Sequence, residues 1–483
     1  MSDTRPTIDD KQRMVKPITP LSNVDAAWLK MEDPTNLMMV TGVLTFPRPL
    51  DMAYLRALVE SRLLQFDRFR QRAVRPVLPF APAYWEPDPH FNISAHLHRV
   101  GLPHPRDKGA LQRLVSDLMS TTLDFSKPLW QMHVVDGYSP DGASDGGALI
   151  VRLHHALADG MALVGVLLAL TEMVPGALPP VAAESDASEA AAPGRLTGWE
   201  AFQWRTATMV GKGMDVGRRA IIEGLESYLN SDRPRQLAEQ GADYAHALSK
   251  LVLRAPDPPT PFRGRLGVAK RVAWSRPLPL SEVKAMRRVM GGTVNDLMTS
   301  AVTGGLRRYL EARGEAPVDF RAAVPVNLRG PNEMGALGNK FGLVFLDLPV
   351  SIVDQRRRLD AVRFRMEALK GSPEAPVSLD VLAAVGFSAQ AVQDAVVRII
   401  GTKATAVLTN VPGPPIPLYL AGQPIDSLMF WVPQSGRLGL GISILSYAGN
   451  AYVGVATDAG LVPEPDEIIL GFYAEYDELL GLA

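Results

Sequence analysis

Apolar and polar positions along this chain repeat with two periods, and the switches between them mark its elements. After a polar tail, residues 1–18, the stretch "LSNVDAAWLKMEDPTNLMMVTGVLTF" predicts a short amphipathic helix around Asp25–Glu32 and a strand over Met38–Phe46. A helix follows at Met52–Leu64. Strands are expected at Ile93–Val100, Trp130–Asp136 and Ala148–Leu153, with a helix at Lys108–Thr121 between the first two. Helices and strands therefore mix within one unit, residues 19–180.

The pattern then lapses. "VPGALPPVAAESDASEAAAPGRLTG", Val174–Gly198, is rich in Ala, Pro, Gly and Ser and reads as a mobile linker. From Trp199 to about Leu253 a helical pattern is broken by Gly211, Gly213 and Gly217, and "APDPPTPFRGRLG" ends it, so residues 181–261 form a linker and helical connector. A second unit, residues 262–483, is expected to hold a strand at Lys270–Trp274, a long helix at Val294–Ala312, strands at Arg321–Val326 and Leu343–Pro349, a helix at Ile352–Leu369 and a β-rich tail through Thr457. The element order of the two halves is loosely alike, without a sequence repeat that proves it.

Composition narrows the function. At 483 residues and 47% hydrophobic, the chain is too long for one core of ordinary size, which fits two domains. Lys plus Arg total 50 against 51 Asp plus Glu, so no global field would draw in nucleic acid. Cysteine is absent, which removes disulfides and thiolate chemistry. The N-terminus has no signal-peptide core, so a cytoplasmic location is expected. The longest apolar stretch, Met161–Leu170, is well short of the roughly 20 residues of a membrane span. "GWEAFQWRTATMV" carries Trp199, Phe202 and Met209 at near-helical spacing beside Arg205 and Lys212. That stripe fits either a lipid interface or a core.

Candidate chemistry gathers at one place. In "LIVRLHHALADGMALVGVLLAL", Leu149–Leu170, a β-branched run leads into His154, His155 and Asp159, and a core-like helix follows. Adjacent side chains at a strand end point to opposite sides, so one histidine faces a cavity while the other is held inside. An imidazole that is mostly neutral at cytoplasmic pH suits a general base. Asp159 stands where an N-cap belongs and can cap, orient the loop, or do both. His155 and Asp159 are also at a metal-compatible spacing, but no third ligand lies near in sequence, and no metal is expected.

"HHALADG" matches the HHxxxDG pattern of the CoA-dependent acyltransferase superfamily. The chain as a whole resembles one branch of it, the bacterial wax ester synthase/acyl-CoA:diacylglycerol acyltransferases. The resemblance lies in "LSNVDAAWL", "DRFRQRAV", "KPLWQMHVVDG", "TVNDLMTSAVTGGLRRYL", "VPVNLRG", "LGNKFGLV" and "TNVPGPP", spread over nearly the whole length. It departs from the family at "NLMMV", which lacks the histidine of a Pro-Met-His run. The DFGWG string of the plant branch is missing, and no carrier or adenylation module is fused.

The resemblance implies an α/β fold of two chloramphenicol-acetyltransferase-like domains, each a mixed sheet flanked by helices, with an active-site tunnel at their interface. It implies O-acyl transfer from long-chain acyl-CoA to diacylglycerol or a long-chain alcohol, with acyl-CoA as a substrate and no cofactor. His155 would be the general base, His154 its support, and Asp159, followed by Gly160, an orienter paired with an arginine. Arg68 and Arg70 are the candidates for that arginine, with Arg329 behind them. Oxyanion or second-domain site residues would come from Asn295, Asp296, Thr409 and Asn410. Arg263, Arg265, Lys270 and Arg271 could meet the CoA phosphates or form a solvated strand edge. Peripheral contact with the inner membrane or lipid inclusions is expected. Two alternatives stay open: a superfamily enzyme for a small polar alcohol or amine, and an inactive lipid-binding or lipid-droplet protein.

Overall fold

Strand β1, Met39–Phe46, forms from an apolar run in which all residues but Gly42 are buried, so both of its faces are covered. The computed structural model describes residues 18–76, 82–140, 145–172, 253–329, 337–370, 372–387, 396–399, 401–434 and 438–482. The expected N-terminal tail, the Val174–Gly198 linker and the connector with Trp199, Phe202 and Met209 lie outside these residues, apart from Ile18 and residues 253–261.

The first sheet also contains β2 (Leu97–Gly101), β3 (Trp130–Tyr138) and β4 (Gly146–His154). Only β2 and β3 pair parallel; β3–β4 and β4–β1 are antiparallel. Around it stand α1 (Asn23–Met31), α2 (Met52–Ser61), α3 (Lys108–Met119) and α4 (Gly160–Leu170). The caps follow the sequence. Ser22, Asp51, Asp107 and Asp159 each accept from a backbone amide of the first turn of the helix they precede.

The second sheet is built from β5 (Lys270–Trp274), β6 (Phe320–Asn327), β7 (Phe341–Leu348), β8 (Ala406–Pro412), β10 (Leu440–Tyr447) and β11 (Asn450–Asp458), in the spatial order β7-β6-β8-β10-β11-β5. Strand β8 is parallel to both neighbours, and the other pairings are antiparallel. Helices α5 (Leu280–Met290), α6 (Val294–Ala312), α7 (Gln355–Leu369) and α9 (Asp466–Gly481) belong to this half. Helix α6 can lie close to α9 because Gly305 has no side chain: a Cβ there would stand 2.7 Å from the Phe472 backbone nitrogen.

Two features tie the halves together. Strand β9, Ser427–Trp431, leaves the second half and pairs antiparallel with Thr41–Thr45 of β1, so the first sheet is completed by residues the sequence pattern assigns to the second unit. It covers an otherwise open edge with an apolar strand. Helix α8, Glu374–Phe387, packs against α1 and against β7. The architecture is the expected two-domain α/β arrangement of mixed sheets flanked by helices, with this exchange added.

Candidate active site

The alternation of β4 explains the histidine pair. Leu149, Val151 and Leu153 point to one face and line a cavity, while Ile150, Arg152 and His154 point to the other. His155, one residue past the strand, turns to the cavity side. The two rings have separate surroundings. His154 Nδ1 accepts from the Ala156 amide (3.0 Å), which leaves its proton on Nε2, 3.5 Å from Glu32 Oε2, and Phe125 packs edge-on against the ring. His155 is 4% exposed, stacks on Trp28 and touches Phe341. Its backbone is pinned: the amide donates to Met38 (2.7 Å), and the carbonyl accepts from Asn339 Nδ2 (2.8 Å).

Burial pushes the His155 imidazole down to about 4, with Asp159 and a side-chain hydrogen bond with Asn339 acting against the shift and His154 reinforcing it. The ring is therefore neutral at pH 7 and can accept a proton.

Asp159 caps and orients with different oxygens. Oδ1 accepts from Ala162, the N-cap bond of α4 (3.1 Å), while Oδ2 pairs with Arg329 and accepts from the Lys340 amide (2.9 Å). Both partners of Oδ2 come from the second half. Gly338 completes the seam, its carbonyl accepting from Asp159 (3.2 Å) and Arg329 (2.6 Å). Arg68 and Arg70 do not pair with Asp159. Arg68 reaches under the loop to Asp25 (3.3 Å) and the Leu157 carbonyl (3.0 Å), and Arg70 turns back on Asp67 at the surface.

His155, Asp159 and Gly160 line a cavity of about 130 Å³ whose other walls, apart from Trp28, come from the second half, including Asn327, Thr409 and Asn410. Gly160, Val411 and Phe430 are shared with a second cavity of about 120 Å³ under α4, which no polar side chain lines. Trp28, Phe341 and Leu343 are shared with a third, of about 60 Å³, against α8. Two arms, apolar but for Ser378 in the one against α8, thus share walls with the cavity that holds His155. A separate depression of about 590 Å³ shares no lining residue with the His155 cavity, and its arginines are paired: Arg254 with Glu374, Arg321 with Asp257, Arg365 with Asp319.

Residues 21–298 match the wax ester synthase/diacylglycerol acyltransferase catalytic domain, and residues 337–480 the C-terminal domain of the same family. The chain belongs to this acyltransferase family. A Mycobacterium tuberculosis protein named as a diacylglycerol O-acyltransferase is 28% identical over 483 residues, covering 95% of this chain and 90% of its own. A second from that organism is 29% identical over 438 residues, with 89% of each chain covered. Among solved structures, the wax ester synthase/diacylglycerol acyltransferase of Marinobacter aquaeolei VT8 superposes with a TM-score of 0.66 at 21% identity, covering 95% of this chain and 98% of that one. The first condensation domain of the calcium-dependent antibiotic synthetase gives 0.58 at 16% identity, with 96% of each covered. These two likenesses concern the fold.

In this wax ester synthase/diacylglycerol acyltransferase the remaining candidates separate. Thr409 and Asn410 line the His155 cavity, and each also bonds elsewhere: the Thr409 hydroxyl with Ser443 (3.1 Å) and Asn410, through Nδ2, with Asn295 Oδ1. Asn295 and Asp296 are not in that wall. Asp296 closes a capping box with Thr293 at the start of α6 and, as a carboxylate, has no hydrogen to donate to an oxyanion. The cationic run also divides. Lys270 is buried against Asp458 (2.8 Å), its register partner on β11, and Arg263 donates to the Thr402 carbonyl (3.1 Å); Arg265 and Arg271 are exposed. A phosphate cluster of all four is therefore not present, because the strand turns Lys270 inward. Sequence reasoning missed Asn339 and Asp25 as neighbours of His155. The only signal was their place in the family strings "LGNKFGLV" and "LSNVDAAWL". Among the described residues no cluster of His, Asp or Glu could hold a metal, and no helix is long and apolar enough to cross a membrane.

Proposed function

We propose that this acyltransferase moves a long-chain fatty acyl group from acyl-CoA to diacylglycerol, a long-chain alcohol, or both, with His155 as the general base. The observation that carries the reading is the pair of arms, apolar but for Ser378, that share walls with the cavity of a buried, neutral imidazole. Dry arms suit alkyl chains, since each buried methylene contributes about 0.8 kcal/mol. The acceptor hydroxyl attacks the thioester carbonyl as His155 takes its proton, and the C–S bond breaks. The departing CoA thiolate recovers that proton, giving ester and free CoA with no acyl-enzyme. His154, with Nδ1 committed to a backbone amide, supports the turn, and Asp159 fixes it through Arg329. On this reading water-insoluble acceptors are met at a membrane or lipid-inclusion surface, on the cytoplasmic side.

Incubation of the purified protein with labelled palmitoyl-CoA and either hexadecanol or dioleoylglycerol, with products separated by thin-layer chromatography, tests this. The expected result is labelled wax ester or triacylglycerol from the wild type and none from His155→Ala. Preference for acetyl-CoA and a small polar alcohol would replace the lipid reading, and binding without turnover would mark an inactive lipid-binding protein.

A further inference from the structure

Asn339 meets the catalytic turn from the second half. Its Nδ2 makes two hydrogen bonds at once, to Asp25 Oδ1 (2.7 Å) and to the backbone carbonyl of His155 (2.8 Å). Asp25 is fully buried on α1 and is paired at 3.3 Å with Arg68. With both amide hydrogens committed, the side chain cannot flip without setting Oδ1 against a buried carboxylate, so Oδ1 is fixed as an acceptor. Beside Asp25 Oδ2, which faces Arg68, and Trp28 Nε1, two buried atoms at this seam make no hydrogen bond within ordinary limits: Asn339 Oδ1 and His155 Nδ1. One can only accept. The other donates only if the imidazole carries its proton there. Buried polar groups without partners are costly, and these two are complementary.

We infer that Asn339 is a positioning residue for His155: its Oδ1 takes the Nδ1–H of the ring, so that the resting imidazole holds its proton on Nδ1 and presents a bare Nε2 to the cavity. The inference rests on the reading of His155 as the base. The influence of Asn339 on the proton affinity of the ring agrees with this contact and exceeds that of the histidine's own backbone, the competing partner for the ring. Asp25 stands one step behind, holding the amide as a carboxylate does in triads that fix a histidine tautomer. Arg68 opposes the burial that raises the pKa of Asp25. The other charged or titratable groups around the ring are Asp159 from the turn with its partner Arg329, Lys340 beside Asn339, and His154 on β4.

The test reads the tautomer directly. In wild-type protein carrying ¹⁵N-histidine, long-range ¹H–¹⁵N correlation at pH 7 should show the proton of His155 on Nδ1, the signal being assigned by its loss in His155→Ala. Asn339→Ala should move that signal toward the Nε2–H form and lower kcat by about tenfold or more while KM for palmitoyl-CoA changes little. Asn339→Asp restores an acceptor and adds a negative charge, so it should recover activity over the alanine variant and move the ascending limb of the pH–rate profile upward by about one unit. Melting curves, with Asn339→Ser as a second variant, identify any change that fails to fold. An Nε2–H signal in the wild type overturns the inference. So does an Asn339→Ala protein that loses stability and kcat while the tautomer stays put, since that describes a structural clasp alone. Activity surviving in His155→Ala would instead defeat the base assignment, whatever the tautomer.

Discussion

Trp28 lies nearly flat against His155, with ring centroids 4.2 Å apart and planes 22° from parallel. The indole Nε1 is buried without a hydrogen-bond partner, so Trp28 meets the histidine through its π face. A neutral imidazole gains stacking there, and on the proposed role of His155 as base the imidazolium formed during acyl transfer would gain a cation–π contact of about 0.5–2 kcal/mol. Trp28→Phe should keep most of the activity. Trp28→Leu should lower kcat by about 2- to 30-fold, the same energy read as a rate. An unchanged kcat in the leucine variant would reduce the stack to packing.

Asp159 and Arg329 form a buried ion pair between the halves, with side chains 5% and 3% exposed. Removing one partner strands the other as an uncompensated charge, so Asp159→Asn and Arg329→Met should each cost about 3–5 kcal/mol. The N-cap bond alone would account for about 0.5–2 kcal/mol. The double variant should be markedly less damaged than the sum of the two, whereas Arg70→Ala should be near neutral. Chemical denaturation of the four species of the cycle decides it, and additive losses would dissolve the link.

The pH profile follows from the buried ring. Burial holds His155 down to about 4 against an ordinary 6.5, so on the proposed role of this residue as base it stays deprotonated through mildly acidic solution, and kcat/KM should rise with pH near 4 and be on its plateau by about pH 6. The sign for stability agrees. Between about 4 and 6.5 the unfolded chain binds a proton at this residue and the native chain does not, so stability falls as pH is lowered through that window. His155→Ala should lose less stability across it. A kcat/KM limb at 6.5 would show that the ring is not desolvated in the free enzyme.

Local chemistry was legible from the sequence, and distant partners were not. The strand Lys270–Trp274 and the helix Val294–Ala312 form with the expected limits, because their patterns are regular and Thr293 caps the helix with Asp296 in a capping box. Helices α5 and α9 escaped the pattern; each starts behind a proline, Pro279 and Pro465, with no side-chain cap to announce it. The turn and the roles open to Asp159 were readable, since cap and motif are contiguous. The choice of Arg329 over Arg68 and Arg70 was not: the pair is 170 residues apart, and only sheet packing brings it together. The same holds for Lys270, whose charge looked free until β11 placed Asp458 opposite it.

Gly160 offers the sharpest test of the two-arm geometry. It is the first residue of α4, its φ is not positive, and a Cβ built there meets nothing within 4 Å, so the backbone does not require glycine. The missing side chain would stand in the wall shared by the His155 cavity and the arm under α4. Gly160→Val should therefore fold normally and use short chains as the wild type does, while chains long enough to enter that arm lose their burial. At about 0.8 kcal/mol per methylene, three displaced methylenes cost roughly 60-fold in kcat/KM. Measuring donors from two to eighteen carbons against alcohols of matching lengths shows which substrate feels the block. If the acyl chain occupies this arm the donor curve truncates, and if the acceptor does the alcohol curve truncates. Two unchanged curves in a folded Gly160→Val protein would mean that neither chain passes Gly160, and the arm under α4 would lose its place in the reaction.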